Sequence, residues 1–98
     1  MQTIDSKTFE EVIQGRAVIQ FSASWCGPCK TLTKTIEENE SDLAVPFYKV
    51  DLDSEQALAA KYNVRSVPTL IMFSEGKVAK QVMGNRSLSD LQNFISNS

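Results

Sequence analysis

Two cysteines in the stretch "WCGPCK", Trp25 to Lys30, are the side chains best suited to chemistry in this sequence. Cys26 and Cys29 are the two cysteines of a 98-residue chain that contains no histidine. On a first helical turn, residues three apart have side chains about 5–6 Å from each other, so a disulfide can close with little backbone movement. Such a pair can belong to a metal site, a structural disulfide or a redox centre.

Two of these alternatives explain less of the stretch than the third. Structural zinc takes about four protein ligands, so two cysteines would suffice only if two chains shared the ion. A structural disulfide between Cys26 and Cys29 closes a loop so short that it removes little entropy from the unfolded chain. A reducing cytoplasm would also open it. Thiol–disulfide exchange, the third alternative, also accounts for the residues next to the cysteines.

Exchange would divide the work between the two cysteines. Cys26 precedes the expected helix, where unpaired N–H groups and the positive end of the dipole favour the thiolate, which is the nucleophile. Cys29 lies one turn later and would resolve the mixed disulfide that Cys26 forms. Gly27 leaves room for a partner chain, and Pro28 stiffens the turn. Trp25 is either an ordinary buried aromatic or a partly exposed apolar wall, and its adjacency to Cys26 favours the wall.

The composition predicts one domain over residues 1–98 with a mixed surface. Hydrophobic residues make up 42% of the chain and charged residues 22%, with a formal net charge of −2. Because no basic block stands out, we expect neither nucleic acid nor an anionic membrane as a partner. The N-terminus shows no secretory signal, and the longest apolar run, "VPTLIMF", is too short to span a bilayer. We therefore expect a cytoplasmic protein. A monomer is the default expectation, and we expect the chain itself to bind no metal and no cofactor.

The hydrophobic pattern predicts four strands and four helices around the cysteines. Dense apolar or β-branched runs mark the strands, at residues 16–23, 45–53, 69–74 and 77–84. Apolar residues at helical spacing mark the helices, at residues 6–13, 28–40, 54–64 and 87–95. A helix that crosses between the first two strands implies a parallel central pair with helices on both faces. The cysteines then follow the carboxyl end of a strand, where open α/β sheets carry their chemistry.

Capping and turn residues set the expected ends of these elements. The expected N-caps of the first, third and fourth helices are Asp5 or Ser6, Ser54 and Ser87. Asn63 would end the third helix. The dipeptide Glu75-Gly76 would form the turn of a hairpin between the last two strands.

Three stretches of the sequence resemble the thioredoxin family. "WCGPCK" is that family's active-site motif, "SVPTLIMF" resembles the segment with its cis-proline, and "VMGN" resembles the glycine-bearing edge of its docking groove. The resemblance covers nearly the whole chain. It implies the thioredoxin fold, an α/β architecture with a central mixed sheet of four to five strands, flanked by four helices on both faces.

The resemblance also implies which residues would meet a substrate. Pro68 would be the cis-proline beside the cysteine pair, although proline is also tolerated at the first residue of a strand. The docking groove would consist of Trp25, Gly27, Pro28, Val67, Met83 and Gly84. Val67 would offer its backbone to an extended substrate. Met83 would adapt to irregular partners, or else pack as an ordinary hairpin residue.

Three positions depart from the family pattern. Where the family usually has a buried aspartate, five residues before Trp25, this chain has Gln20, which can form hydrogen bonds but cannot take a proton. Lys49 matches the lysine that normally pairs with that aspartate; it would either reach water along its stem or lie buried without a partner. Ser22 replaces an aromatic residue, and Lys34 replaces a helix-kinking proline, so we expect a straighter helix. Gln20 and Lys49 are therefore possible tuning residues.

The resemblance implies a thiol–disulfide oxidoreductase that reduces protein disulfides through Cys26 and Cys29. Its partners would be disulfide-containing proteins and an NADPH-dependent thioredoxin reductase. Two other functions stay open. One is a relative that forms or isomerises disulfides, which the Gly-Pro between the cysteines argues against. The other is a binding module that uses the groove and leaves the cysteines idle.

Overall fold

A mixed sheet organises the chain in the computed structural model, which describes residues 1–96. The strands are β1 (Gln2–Thr3), β2 (Ala17–Ser22), β3 (Phe47–Asp51), β4 (Thr69–Ser74) and β5 (Lys77–Met83). The helices are α1 (Ser6–Val12), α2 (Gly27–Glu38), α3 (Gln56–Lys61) and α4 (Leu88–Ser96). Within residues 1–96 the strand order is β1-β3-β2-β4-β5. The expected α/β fold is confirmed over this part of the chain, and the last two residues of the expected domain lie outside the described residues.

The central strand of the sheet is β2, the strand that leads to the cysteines. It pairs in parallel with β3 and antiparallel with β4. All six of its residues are buried, because it has a neighbour on each edge and helices on each face. The crossover from β2 to β3 passes through α2, so the expected parallel central pair is confirmed. Its carboxyl end at Ser22 opens directly onto the segment with the cysteines.

The sheet separates two layers of apolar side chains. On one face, α1 and α3 pack against Ile19 and Phe21 of β2. On the opposite face, α2 and α4 pack against Val18. Because side chains alternate along a strand, Gln20 lies on the same face as Val18, toward α2. The helix that begins at the cysteines is therefore held to the sheet by the layer that contains Gln20.

Two of the expected N-caps and one expected helix end are confirmed. The carboxylate of Asp5 accepts a hydrogen bond from the N–H of Thr8 at 2.9 Å. The Ser87 hydroxyl accepts one from the N–H of Asp90 at 3.2 Å, and the Asp90 carboxylate accepts one from the Ser87 N–H at 3.3 Å. This reciprocal pair is a capping box. Asn63, just past α3, has φ of 58°, the left-handed conformation that ends many helices.

The expected cap at Ser54 is wrong. The N-cap of α3 is Glu55, whose side chain makes no capping hydrogen bond. The N–H groups of Asp53 and Ser54 instead donate to the Asp51 carboxylate, at 2.8 and 3.4 Å. Aspartate commonly closes such turns with its own following backbone. The turn after β3 therefore uses Ser54, and the helix begins two residues later at Gln56.

The hairpin turn is confirmed, and two short elements went unpredicted. Glu75 and Gly76 both have positive φ, 55° and 79°, as a type I′ hairpin turn requires. The unpredicted elements are β1, which pairs in parallel with β3 at the sheet edge, and a 3₁₀ turn at Glu40–Asp42. Elements of two or three residues are too short to show a hydrophobic period.

The helices within residues 1–96 are short, and α2 is the longest at 12 residues. It runs without interruption from Gly27 to Glu38, two residues short of the expected end. Pro28 lies in its first turn, where a missing N–H costs nothing. Among these residues no helix is long and apolar enough to cross a membrane.

The cap at Asp5 should contribute to stability in a pH-dependent way. The hydrogen bond from the Thr8 backbone lowers the pKa of the Asp5 carboxyl, so folding favours its charged form. A lowered folded-state pKa means that the unfolded chain binds more protons in acid. The contribution is therefore present above the unfolded pKa and is lost as pH falls through the folded pKa. We expect Asp5→Ala to unfold at lower urea concentration than the parent at pH 7.

The matched control is Asp5→Asn, which keeps a good N-cap without a titrating group. Urea melts at pH 7 and pH 3 should show Asp5→Asn close to the parent at pH 7 and relatively more stable than the parent at pH 3. If Asp5→Ala and the parent have equal midpoints at pH 7, the cap contributes nothing to folding.

Candidate active site

The cysteine pair lies where β2 ends and α2 begins. The Cys26 N–H donates to the carbonyl of Ala23 at 3.1 Å, which turns the chain after the strand. Cys26 is the N-cap of α2, with φ −93° and ψ 109°, and Pro28 follows in the first turn. Cys26 and Cys29 form a disulfide, with their Cα atoms 5.3 Å apart. The first turn of the helix thus brings the two sulfurs together, and the structure shows their oxidised form.

The sulfur of Cys26 lies against the amino end of α2. The backbone N–H of Cys29 donates a hydrogen bond to the Cys26 Sγ at 3.1 Å. This N–H is one of those that a helix leaves without a partner at its start, and the helix dipole adds partial positive charge there. Both effects favour negative charge on the Cys26 sulfur in the reduced protein. The backbone therefore distinguishes two otherwise similar cysteines.

Both cysteines are nearly covered by their surroundings. Cys26 is 4% exposed and Cys29 is 1% exposed. They pack with Ala23, and the half-buried Val67 lies against the same cluster. The two cysteines therefore differ little in solvent exposure. They differ more clearly in hydrogen bonding, because the helix N–H donates to the sulfur of Cys26.

The segment around Pro68 forms one side of the site. The Val67–Pro68 peptide bond is cis, and Pro68 is buried. Its carbonyl accepts a hydrogen bond from the N–H of Gly84 at 2.9 Å. Gly84 has φ of 88°, a conformation that favours glycine. This contact ties the end of β5 to the segment that packs on the cysteines.

The expected groove residues include two large exposed apolar side chains. Trp25 is 67% exposed and Met83 is 61% exposed. Gly27 and Pro28 are also exposed, whereas Val67 is half-buried. Of the two alternatives for Trp25, the exposed wall is the one observed. Trp25 directly precedes Cys26, and Met83 pairs with Thr69, the residue after Pro68, so both exposed side chains belong to segments of the site.

Asp53 is a residue at the site that sequence reasoning missed. Its carboxylate accepts a hydrogen bond from the Trp25 Nε1–H at 3.1 Å. The Asp53 N–H is in turn held by the Asp51 carboxylate at 2.8 Å. The indole is therefore fixed at its polar end while its apolar face stays in solvent. The stretch "VDLD" does place two acids at the end of a strand, near the expected site. Because Asp53 lies 28 residues from Trp25 in sequence, nothing indicated that the two side chains would meet.

Gln20 is fully buried below the first turns of α2. Its Nε2 donates to the backbone carbonyl of Cys29 at 3.3 Å and to the Thr33 hydroxyl at 3.0 Å. The Thr33 Oγ1 and the Gln20 Oε1 are also within hydrogen-bond distance, at 3.3 Å. The amide therefore contacts the backbone of the second cysteine and holds α2 to β2. Thr33 was missed, because its hydroxyl gains significance only when Gln20 is known to face it.

Lys49 lies beside Gln20 in the sheet, as its register partner on β3. It is half-buried and lines an open cleft. Among residues 1–96 it makes no ion pair and no side-chain hydrogen bond. Of the two alternatives for Lys49, a strand lysine that reaches solvent along its stem is the one observed.

Comparison with known proteins agrees with this geometry. A family model described as Thioredoxin matches residues 1–97. The chain belongs to the thioredoxin family. A thioredoxin of Chlamydia trachomatis is 38% identical over 98 residues, which cover 98% of this chain and 96% of that protein. A thioredoxin of Bacillus subtilis is 31% identical over 97 residues, which cover 97% of this chain and 93% of that protein.

Solved thioredoxin structures share the fold. A mutant thioredoxin from Halobacterium salinarum matches with a TM-score of 0.90 at 31% identity, covering 98% of this chain and 88% of that one. A thioredoxin from Malassezia sympodialis matches with a TM-score of 0.87 at 36% identity, covering 99% of this chain and 89% of that one. Thioredoxin relatives together with the Cys26–Cys29 disulfide make this chain a thiol–disulfide oxidoreductase, of the protein-disulfide reductase type.

Gln20→Asp should destabilise the protein increasingly as the pH rises. The Gln20 amide donates to the Cys29 carbonyl, and an aspartate has no N–H to replace it. A carboxylate buried here loses its hydration, which raises its pKa, and proximity to Lys49 recovers that cost only in part. The native state then holds more protons than the unfolded state. Stability should therefore fall from pH about 3.9, the unfolded carboxyl pKa, up to the raised folded pKa.

Urea melts of Gln20→Asp at pH 5 and pH 8 measure this effect, with Gln20→Asn as a control of the same length that cannot titrate. We expect Gln20→Asp to lose about 2–4 kcal/mol at pH 8 and less at pH 5, whereas the loss in Gln20→Asn should not change with pH. A Gln20→Asp variant as stable as the parent at both pH values would show that position 20 tolerates a charge.

Proposed function

We propose that this chain reduces protein disulfides through a mixed-disulfide intermediate, with Cys26 as the nucleophile and Cys29 as the resolving thiol. The observation that carries the proposal is the hydrogen bond from the Cys29 N–H to the Cys26 Sγ. A sulfur that accepts from the start of a helix is stabilised as the thiolate, and the thiolate is the attacking species. Cys29 lies one turn further on, within bonding distance of the same sulfur.

The reaction would proceed in two exchanges. The Cys26 thiolate attacks one sulfur of a substrate disulfide, forming a mixed disulfide and expelling the other substrate sulfur as a thiolate. Cys29, once deprotonated, attacks the Cys26 sulfur, which closes the Cys26–Cys29 disulfide and expels the second substrate sulfur. Two electrons and two protons pass to the substrate in total. The product form of the protein is the disulfide form seen in the structure.

The residues around the second exchange would tune it without accepting a proton. Gln20 cannot titrate, so the proton of Cys29 passes to solvent or to the departing substrate thiolate. The Gln20 amide contributes by holding the carbonyl of Cys29. Lys49, on the neighbouring strand, adds a positive charge to the same face of the sheet.

The docking surface would be the groove predicted from the sequence. Its members are Trp25, Gly27, Pro28, Val67, Met83 and Gly84, with Pro68 beneath them. Val67 packs on the cysteine cluster, so a substrate strand that paired with its backbone would lie across the disulfide. The exposed Trp25 and Met83 would supply apolar contact, and a thioether adapts to varied partners. The substrates are therefore expected to be exposed, cysteine-bearing loops of other proteins.

Family membership supports a proposal for the setting of this activity. We propose a cytoplasmic monomer, a single domain over residues 1–98, which takes part in electron transport and cell redox homeostasis. An NADPH-dependent thioredoxin reductase would return the oxidised pair to the dithiol. The chain would need no cofactor or metal of its own, because the two sulfurs carry both electrons.

Insulin reduction with dithiothreitol tests the proposed function. We expect turbidity from the released insulin chain to appear at a rate comparable to that of a common thioredoxin. No acceleration over dithiothreitol alone would indicate a binding module with idle cysteines. The reduction potential, measured against glutathione, distinguishes a reductase from a relative that forms or isomerises disulfides. For a reductase we expect about −270 mV, the value of thioredoxin itself, whereas a value near −180 mV would indicate an isomerase-like protein.

The division of labour between the cysteines predicts a difference in trapping. Cys29→Ser should attack substrates but fail to release them, so mixed disulfides through Cys26 should accumulate. Cys26→Ser should neither reduce insulin nor trap partners, because Cys29 lacks the helix N–H that stabilises a thiolate. Non-reducing electrophoresis after incubation with insulin measures both. Equal trapping by the two variants would contradict the assignment of roles.

The groove predicts that charge at Met83 weakens docking. Met83→Glu should raise the apparent KM for insulin by about tenfold or more, because burying a methionine contributes on the order of 1.5–3 kcal/mol. Val78→Glu is the matched control, since Val78 is also exposed on β5, at 45%, but lies near its other end. Its KM should stay within about twofold of the parent. Equal effects of the two substitutions would place the docking surface elsewhere.

A further inference from the structure

The three methionines of the chain differ sharply in exposure to solvent. Met83 is 61% exposed, whereas Met72 is fully buried. Met1 is half-buried and packs against the apolar layer that contains α2 and α4. Oxidants convert a methionine thioether to a sulfoxide, and they must reach its sulfur to do so. Met83 is therefore the methionine most open to oxidants in solution.

The backbone holds Met83 at the surface beside the cis-proline segment. The Met83 carbonyl accepts a hydrogen bond from Nη2 of Arg86 at 2.8 Å. The N–H of the same peptide unit, which belongs to Gly84, donates to the carbonyl of Pro68 at 2.9 Å. The preceding residue, Val82, packs on the layer of α2 and α4, and alternation along β5 directs Met83 to the other side. The end of β5 is therefore fixed with the thioether outward.

A hydrogen-bond donor already lies at the sulfur of Met83. The Ser66 hydroxyl donates to the Met83 Sδ at 3.4 Å. A thioether sulfur is only a weak acceptor, so this contact contributes little in the unmodified protein. Oxidation would replace the thioether by a polar S–O group, which is a better acceptor for the same hydroxyl. Ser66 would therefore favour the oxidised side chain in the free protein.

We propose that Met83 is a site of oxidation by peroxides and that its sulfoxide weakens substrate docking. The Met83 sulfur attacks one oxygen of hydrogen peroxide, so that an S–O bond forms and the O–O bond breaks. The proton on the transferred oxygen passes to the departing hydroxide, which leaves as water. The sulfur is thereby oxidised by two electrons and the peroxide is reduced by two.

The effect on docking rests on the proposed function, in which Met83 belongs to the docking groove. A substrate that covers the groove removes water from the side chain of Met83. A sulfoxide loses its hydration in that step, and burying a polar group without full compensation is unfavourable. Oxidation would therefore lower the affinity for substrates without changing the cysteines that carry out the exchange.

Peptide mass spectrometry after brief treatment with hydrogen peroxide tests the site of modification. The disulfide form of the protein is used, because peroxide attacks cysteine thiolates and both cysteines are paired in this form. We expect Met83 to be oxidised at least about tenfold faster than Met72, and faster than Met1. In urea the three rates should become similar. Oxidation of Met72 or Met1 as fast as that of Met83 in the folded protein would overturn the proposal.

The apparent KM for insulin measures the effect on docking. Catalase removes the peroxide, dithiothreitol in the assay restores the dithiol, and mass spectrometry after the assay checks that the sulfoxide persists. We expect the KM to rise about fivefold and kcat to stay within about twofold of the untreated protein, because the exchanging sulfurs are unchanged. An unchanged KM in protein fully oxidised at Met83 would overturn the proposal.

Met83→Leu is the matched control, because leucine is apolar and of similar volume and has no sulfur to oxidise. Its KM, measured before and after the same peroxide treatment, should not change. An equal rise in Met83→Leu would assign the effect to another group and overturn the proposal. Met83→Glu separates this inference from the docking groove itself. If Met83→Glu raises the KM and the sulfoxide does not, only the inference is wrong; if neither does, the proposed groove is wrong as well.

Discussion

The contact between the Cys29 N–H and the Cys26 sulfur is the constraint on which the active site depends. It exists only if the first cysteine is the N-cap and the second lies inside the first turn of α2. An N-cap needs extended backbone, and the turn after β2 supplies it through the Cys26–Ala23 hydrogen bond. Pro28 then lies in the first turn of the helix, where no N–H is required. A shift of one residue in this turn would give the helix N–H to another side chain.

The sheet holds that turn in place from below. Because β2 is paired on both edges and covered on both faces, its carboxyl end is fixed relative to α2. Gln20 adds a polar contact to this layer, since its amide joins β2 to the Cys29 carbonyl and to Thr33. In this chain the buried position below the cysteines therefore serves to anchor the helix. Because glutamine does not titrate, the side chain at this position can neither accept nor release a proton.

Features that depend on residues close in sequence could be predicted, whereas contacts between residues distant in sequence could not. The central strands, the hairpin at Glu75-Gly76 and the Asp5 cap follow from period and turn chemistry within a few residues. The cap at Ser54 was wrong because the Asp51 carboxylate competes for the same backbone N–H groups. Strand β1 is too short to show a period, and its pairing with β3 joins distant parts of the chain. Asp53, the partner of Trp25, and Thr33, the partner of Gln20, were also missed. Each lies many residues away in sequence, and nothing local indicates that the two side chains will meet.

Alkylation of the reduced protein tests the central claim most directly. Iodoacetamide at limiting concentration near neutral pH reacts with thiolates, and peptide mass spectrometry shows which cysteine is modified first. The helix N–H at its sulfur predicts that Cys26 is alkylated at least about tenfold faster than Cys29. Equal rates, or faster modification of Cys29, would contradict the claim that the start of α2 selects the nucleophile.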